Sequence, residues 1–183
     1  MFSDIKIRSY SAAGLAFLSF LALYFGEFYL KLFIFFVSAV LFFEWMRIIS
    51  QTQWIFRGLL ALFFATFVLF TDGYSALDLL FVIVGSIIIS SFSAYFNAPP
   101  FWSCFGYIYI LLSLCFLEYI RSLENGLLTI LIIISTIMVS DISGYIFGKY
   151  FSGPKIFKKI SPNKTYSGFT ASVLLSVLWF SIL

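Results

Sequence analysis

The chain has 183 residues, 62% of them apolar and only 10% charged, with no histidine, a formal net charge of +3 and a mean hydropathy of +1.07. A soluble domain is typically about 45–50% apolar and about 25% charged, and a chain of this size hides only about 70% of its surface on folding. Water could not solvate the remainder of so apolar a surface, so lipid must be its solvent. The missing histidine also excludes Ser-His-Asp triads, Cys-His dyads and histidine-held metals.

These features predict an all-α, polytopic helical integral membrane protein forming a single transmembrane domain over residues 1–183. A helical crossing takes about 17–25 residues. Six apolar runs follow in chain order, at Tyr10–Phe25, Phe28–Ile49, Phe56–Phe70, Leu77–Phe96, Phe101–Ile120 and Gly126–Phe147. A seventh opens at Phe169 and continues to Leu183. The first and third are short and imply local thinning or snorkelling flanks. The first follows a basic segment, as a signal peptide would, but no small-x-small cleavage site follows it, so it is expected to remain as a span. The runs are separated by polar or turn-forming residues, such as Gly26-Glu27, Gln51-Thr52-Gln53, Thr71-Asp72-Gly73 and Asn97-Ala98-Pro99-Pro100.

Charge sets the expected orientation. Lys6 and Arg8 precede the first span, Arg47 and Arg57 flank the break after the second, and five lysines follow the sixth. With six spans these clusters fall on one side, while the opposite loops carry Glu27, Asp72, Asp78, Glu118 and Glu124 against only Lys31 and Arg121. The positive-inside pattern places the N-terminus and the lysine-rich loop in the cytoplasm. Glu44 and Arg47 are spaced for a local i,i+3 ion pair, or for lining the same polar cavity. Cys104 and Cys115 share one predicted helix and lie roughly 16 Å apart at helical rise, too far to bond to each other.

The segment Ser140–Gly168 differs from the rest. It holds five lysines, one acid, four glycines and two prolines, and its polar part is expected to be a cytoplasmic loop over about 148–168. Asp141 lies at the cytoplasmic edge of the sixth span, where a carboxylate is costly. Asp141, Gly144, Tyr145 and Gly148 share one helical face, and Ser140, Gly144 and Gly148 form a small-xxx-small row. That row suits helix packing; the acid suits a polar cavity that binds a cation or orients a nucleotide. Further on, Ser161 is read as an N-cap with Pro162 at the first helical position, which puts Lys164 in the first turn. A cation there opposes the helix dipole unless an anion is bound. The bland alternative is a capped helix whose lysines are drawn to anionic lipid.

The ordered residues Ser140-Asp141, Gly144-Tyr145, Gly148-Lys149, Lys155, Ile160-Ser161-Pro162-Asn163-Lys164-Thr165 and Gly168 resemble those of the bacterial phosphatidate cytidylyltransferase (CDP-diacylglycerol synthase) family. The resemblance implies an enzyme of the bacterial inner membrane. It would join CTP to phosphatidate, giving CDP-diacylglycerol and pyrophosphate in phospholipid biosynthesis, with Mg2+ required. It assigns Asp141 and Lys164 as catalytic. It assigns Tyr145, Lys149, Lys155, Ser161, Asn163, Thr165 and Gly168 to substrate binding, with Asp141 also at the metal. Lys158 and Lys159 would add positive potential. CTP, phosphatidate and membrane lipid are the implied partners, with no nucleic acid, and a homodimer or a C-terminal half as a further partner. Two departures stand out. Tyr166-Ser167-Gly168 replaces the family's usual Trp-Glu-Gly, and the later family motif, whose aspartates hold the metal, is absent before Leu183. The expectation is therefore the front portion of such an enzyme. The other readings are a non-catalytic membrane scaffold that binds anionic lipid, a CTP-dependent polyprenol or phytol kinase relative and, least in keeping with spans so poor in polar residues, a small transporter or channel.

Overall fold

The structure, a computed structural model, describes residues 2–71, 75–151, 153–157 and 161–182. The described residues form seven helices and one short hairpin, in two compact units, Met1–Leu123 and Glu124–Leu183. Four helices are long and apolar enough to cross a membrane: Phe28–Ile49, Ala76–Tyr95, Pro100–Ser122 and Gly126–Phe151. The apolar helices Ala13–Phe25, Trp54–Phe70 and Tyr166–Ile182 are shorter.

The first unit contains α1 (Phe2–Phe25), α2 (Glu27–Ile49), α3 (Trp54–Phe70), α4 (Ala76–Tyr95) and α5 (Pro100–Ser122). Helix α1 starts well before the expected Tyr10, because no glycine or proline interrupts residues 2–9. Gly26, at φ 62°, turns the chain between α1 and α2, a conformation other residues adopt at a cost. Pro100 opens α5 at a position where its missing N–H is no loss. The core is built from rows spaced by four. Leu30, Ile34, Ser38, Phe42 and Met46 of α2 are buried against α3 and α5, and α4 contributes Gly85, Ile89 and Ser93. Such rows interlock as ridges in grooves, with small residues letting the backbones approach. Large apolar side chains such as Phe17, Phe36, Ile48 and Phe116 stay exposed, as a lipid solvent allows.

Two charged residues expected at the membrane edges are instead buried. Arg57 is fully buried. Its Nε donates to Thr52 O (3.1 Å), its Nη1 to Ser103 Oγ (3.3 Å), and its Nη2 to Met46 O (3.0 Å) and to Ser50 O. It thus holds carbonyls at the end of α2 and in the turn that follows, and ties them to the start of α5. Asp78 completes a capping box with Ser75, accepting from the Ser75 N–H at 2.7 Å, and also accepts from the Thr71 hydroxyl. The Glu44–Arg47 ion pair does not form among the described residues. Arg47 instead sits over the Trp54 ring, 5.8 Å from its centroid, a favourable cation–π contact. Cys104 and Cys115 are free thiols, as their spacing predicts.

The second unit contains α6 (Gly126–Phe151), β1 (Lys155–Phe157), β2 (Ser161–Thr165) and α7 (Tyr166–Ile182). The expected loop over 148–168 is therefore corrected. Helix α6 runs one turn further, Lys155–Phe157 and Ser161–Thr165 form antiparallel strands pairing Lys155 with Thr165 and Phe157 with Ser161, and α7 begins at Tyr166. Gly153-Pro154 ends α6, and the Tyr166 N–H closes the hairpin by donating to Pro154 O at 3.0 Å. Ser161 does not cap a helix. A residue before proline is pushed out of the α region, and Ser161 is extended in β2. The fold class stays all-helical apart from this hairpin.

Candidate functional site

The second unit is held by the close approach of α6 and α7. A Cβ placed on Gly168 would fall 2.6 Å from the Gly144 carbonyl and 3.0 Å from Gly148 Cα, so the two backbones touch at these glycines. The small-xxx-small row does serve helix packing, as its spacing suggests. Further along, Trp179 Nε1 donates to Ser135 Oγ at 3.1 Å.

Thr165 is the hinge between β2 and α7. Its Oγ1 accepts from the Gly168 N–H at 3.2 Å, so Thr165, and not Ser161, is the side-chain cap of α7. The same hydroxyl reaches Gly148 O at 3.5 Å and the Ser167 hydroxyl at 3.1 Å. Lys164 therefore precedes the helix as the penultimate residue of β2. Its direction is set by the hairpin and by the cap beside it.

These elements enclose a half-open cavity of about 510 Å3. Asp141, Gly144 and Tyr145 line it from α6, Ser161, Lys164 and Thr165 from β2, and Gly168 from the first turn of α7. Ser140, Ile156, Phe169 and Ser172 complete the wall. One carboxylate, one ammonium and several hydroxyls thus converge, although Asp141 and Thr165 lie 24 residues apart in sequence. Lys164 and Asp141 are both exposed, so a charged ligand reaches them without burying an unpaired charge. Ser172, four residues beyond Gly168 on α7, was not among the expected site residues. Its i,i+4 spacing from that glycine is the signal that would have found it.

Other expected residues lie elsewhere. Lys149 is absent from the wall; its Nζ sits 6.0 Å from the centroid of the Tyr145 ring. Lys155 is exposed on β1, beside Thr165 in register but not in the wall. The Asn163 side chain and residues Lys158 and Lys159 lie outside the described residues. Among the described residues no group of three or more acids or cysteines is placed to hold a metal. The single carboxylate of Asp141 fits a magnesium ion that takes its other ligands from water and substrate phosphates. It does not fit a two-metal centre.

Known proteins resemble this chain over most of its length. The sequence matches the cytidylyltransferase family over residues 6–183. It is 27% identical to the phosphatidate cytidylyltransferase of Brucella abortus biovar 1 (strain 9-941) over 136 residues, 72% of this chain and 50% of that one. The phosphatidate cytidylyltransferase of Aquifex aeolicus (strain VF5) is 35% identical over 123 residues, 66% of this chain and 46% of the relative. That of Chlamydia trachomatis serovar D is 45% identical over 60 residues, 31% and 20% of the two chains. The chain thus spans about half the length of the first two relatives. No solved structure matches it significantly. With a match that covers nearly its whole length, the chain belongs to the cytidylyltransferase family.

Proposed function

We propose that this multi-pass membrane protein carries the nucleotide-transfer site of a phosphatidate cytidylyltransferase, acting on CTP and phosphatidate at the cavity between α6, the hairpin and α7. The observation that carries this reading is the convergence of Asp141, Ser161, Lys164 and Thr165 on one cavity open to a ligand. Lys164 supplies positive charge to substrate phosphate, and the Ser161 hydroxyl offers a hydrogen bond to its oxygens, while Thr165, engaged in capping α7, holds Lys164 beside the cavity. A phosphate oxygen of phosphatidate attacks the α-phosphorus of CTP, the bond to the bridging oxygen breaks, and pyrophosphate leaves. Such a transfer depends on positioning and charge neutralisation more than on covalent participation by the protein.

Magnesium belongs to the same reading. Asp141 is the residue that would hold it, and the ion would neutralise charge on the triphosphate. A second chain, either another copy or one carrying the rest of the family's sequence, would supply further acidic ligands. The distribution of lysines and arginines favours this cavity facing the cytoplasm, and the bacterial sources of the relatives favour an inner membrane.

The test measures CDP-diacylglycerol formed from labelled CTP and phosphatidate in membranes containing the chain, alone or with a chain carrying the second half of a full-length relative. Product that depends on Lys164 supports the proposal. Absence of product with either arrangement, or transfer to a polyprenol in preference to phosphatidate, sinks it.

A further inference from the structure

The first unit holds a second cavity, of about 710 Å3, that shares no residue with the site above. It forms where the α1–α2 turn, the first turns of α2, the last residue of α3 and the end of α5 meet. One wall is apolar, with Phe25, Phe28, Leu30 and Phe70; the other carries Lys31, Glu118 and Arg121. Lys31 and Glu118 stand 3.6 Å apart, so the charged lining residues leave one positive charge in excess. Arg121 uses Nε and Nη2 on the carbonyls of Leu23 (2.7 Å) and Tyr24 (3.3 Å), capping the end of α1. Its Nη1 has no hydrogen-bond partner among the described residues.

Phe25 also lines a groove of about 660 Å3 that runs along α1 and α2. This groove is almost wholly apolar, with Leu15, Leu18, Phe33, Val37, Val40 and Leu41 among its walls. From Tyr29 to Leu41 it follows roughly 18 Å of helix, a length suited to an acyl chain. At its upper end the rings of Phe20, Tyr24, Phe25, Phe28 and Tyr29 form a chain with neighbouring centroids 5.5–6.3 Å apart. Of these, Tyr24 and Tyr29 are the residue type that gathers at headgroup depth.

We propose that this cavity and groove together bind one anionic glycerophospholipid. Its headgroup phosphate lies by Arg121 and Lys31, and an acyl chain lies along the α1–α2 groove. The cavity offers charge complementary to a phosphate, and the groove continues from the cavity through Phe25. The bound lipid pins α1, whose packing partner in the unit is α2.

The 183-residue chain, titrated with phosphatidylglycerol, phosphatidylcholine or inorganic phosphate, is followed by native mass spectrometry. Phosphatidylglycerol is expected to be retained about fivefold better than phosphatidylcholine, and Lys31→Gln to erase that preference. Val40→Trp, at an exposed groove position, is expected to weaken both lipids, and Leu18→Trp from the facing helix to do the same. Equal retention of the two headgroups overturns the proposal. So does displacement of lipid by inorganic phosphate alone, which would mean a simple anion site. A dimer that Val40→Trp dissociates, with no lipid retained, would assign the groove to a second copy and overturn it as well.

Discussion

The two units use their polar side chains differently. In the first, Arg57 is turned wholly onto backbone carbonyls and a serine, and Asp78 onto a helix start and a threonine. These groups are consumed by the fold. In the second, Thr165 does that work at the start of α7, while Asp141, Ser161 and Lys164 line an open cavity. A charged residue in a membrane protein is costly wherever it sits. What separates a structural charge from a candidate functional one here is whether its hydrogen-bonding capacity is already filled.

The sharpest way to break this contrast is Arg57→Met. It strips donors from the carbonyls of Met46, Ser50 and Thr52 and from the Ser103 hydroxyl. A loss of about 3 kcal/mol or more is expected, measured by unfolding in mixed micelles. A variant as stable as the parent would mean that the carbonyls find water, and that Arg57 is not a clamp.

Lys164→Ala should show the reverse pattern. Unfolding is expected to be unchanged, while cytidylyl transfer falls about 100-fold or more, with Lys164→Arg keeping part of it. Equal loss of stability would place Lys164 with Arg57 as a structural cation.

Gly168→Ala tests the junction between packing and site. The new Cβ would meet backbone at Gly144 and Gly148, so α6 and α7 must separate at a cost of about 1–3 kcal/mol. Transfer should fall with stability. Ser172→Ala, which removes only a hydroxyl at the same interface, is the control and should leave stability intact.

The smallest effect is expected from Thr165→Val, which loses the cap of α7, a change of about 1 kcal/mol. Thr165→Ser should restore it. A rise in KM that exceeds the stability loss would show that the cap also aims Lys164.

The membrane class and the composition of the site are legible because both depend on local content. Apolar runs of spanning length and a polar segment of unusual residues announce themselves in any order of folding. Where local rules compete, the sequence alone does not decide the outcome. Ser161-Pro162 satisfies the statistics of a helix start, yet proline's restriction on the preceding residue and pairing with Lys155–Phe157 make it a strand, and the cap moves to Thr165. Arg57 and Asp78 carry the signature of edge charges, and nothing near them in sequence reveals Ser103, 46 residues from Arg57, as the arginine's partner.

Sequence alone thus determined the membrane class, the helical runs and the polar segment from which the candidate site is built. Tertiary structure alone decided which polar groups are filled and which remain open, and it assembled the cavity beside Arg121 from four separate helices. The reason is physical. Transfer into lipid is a sum over residues and can be read one residue at a time, whereas hydrogen-bond satisfaction and cavity shape depend on partners that only packing brings together.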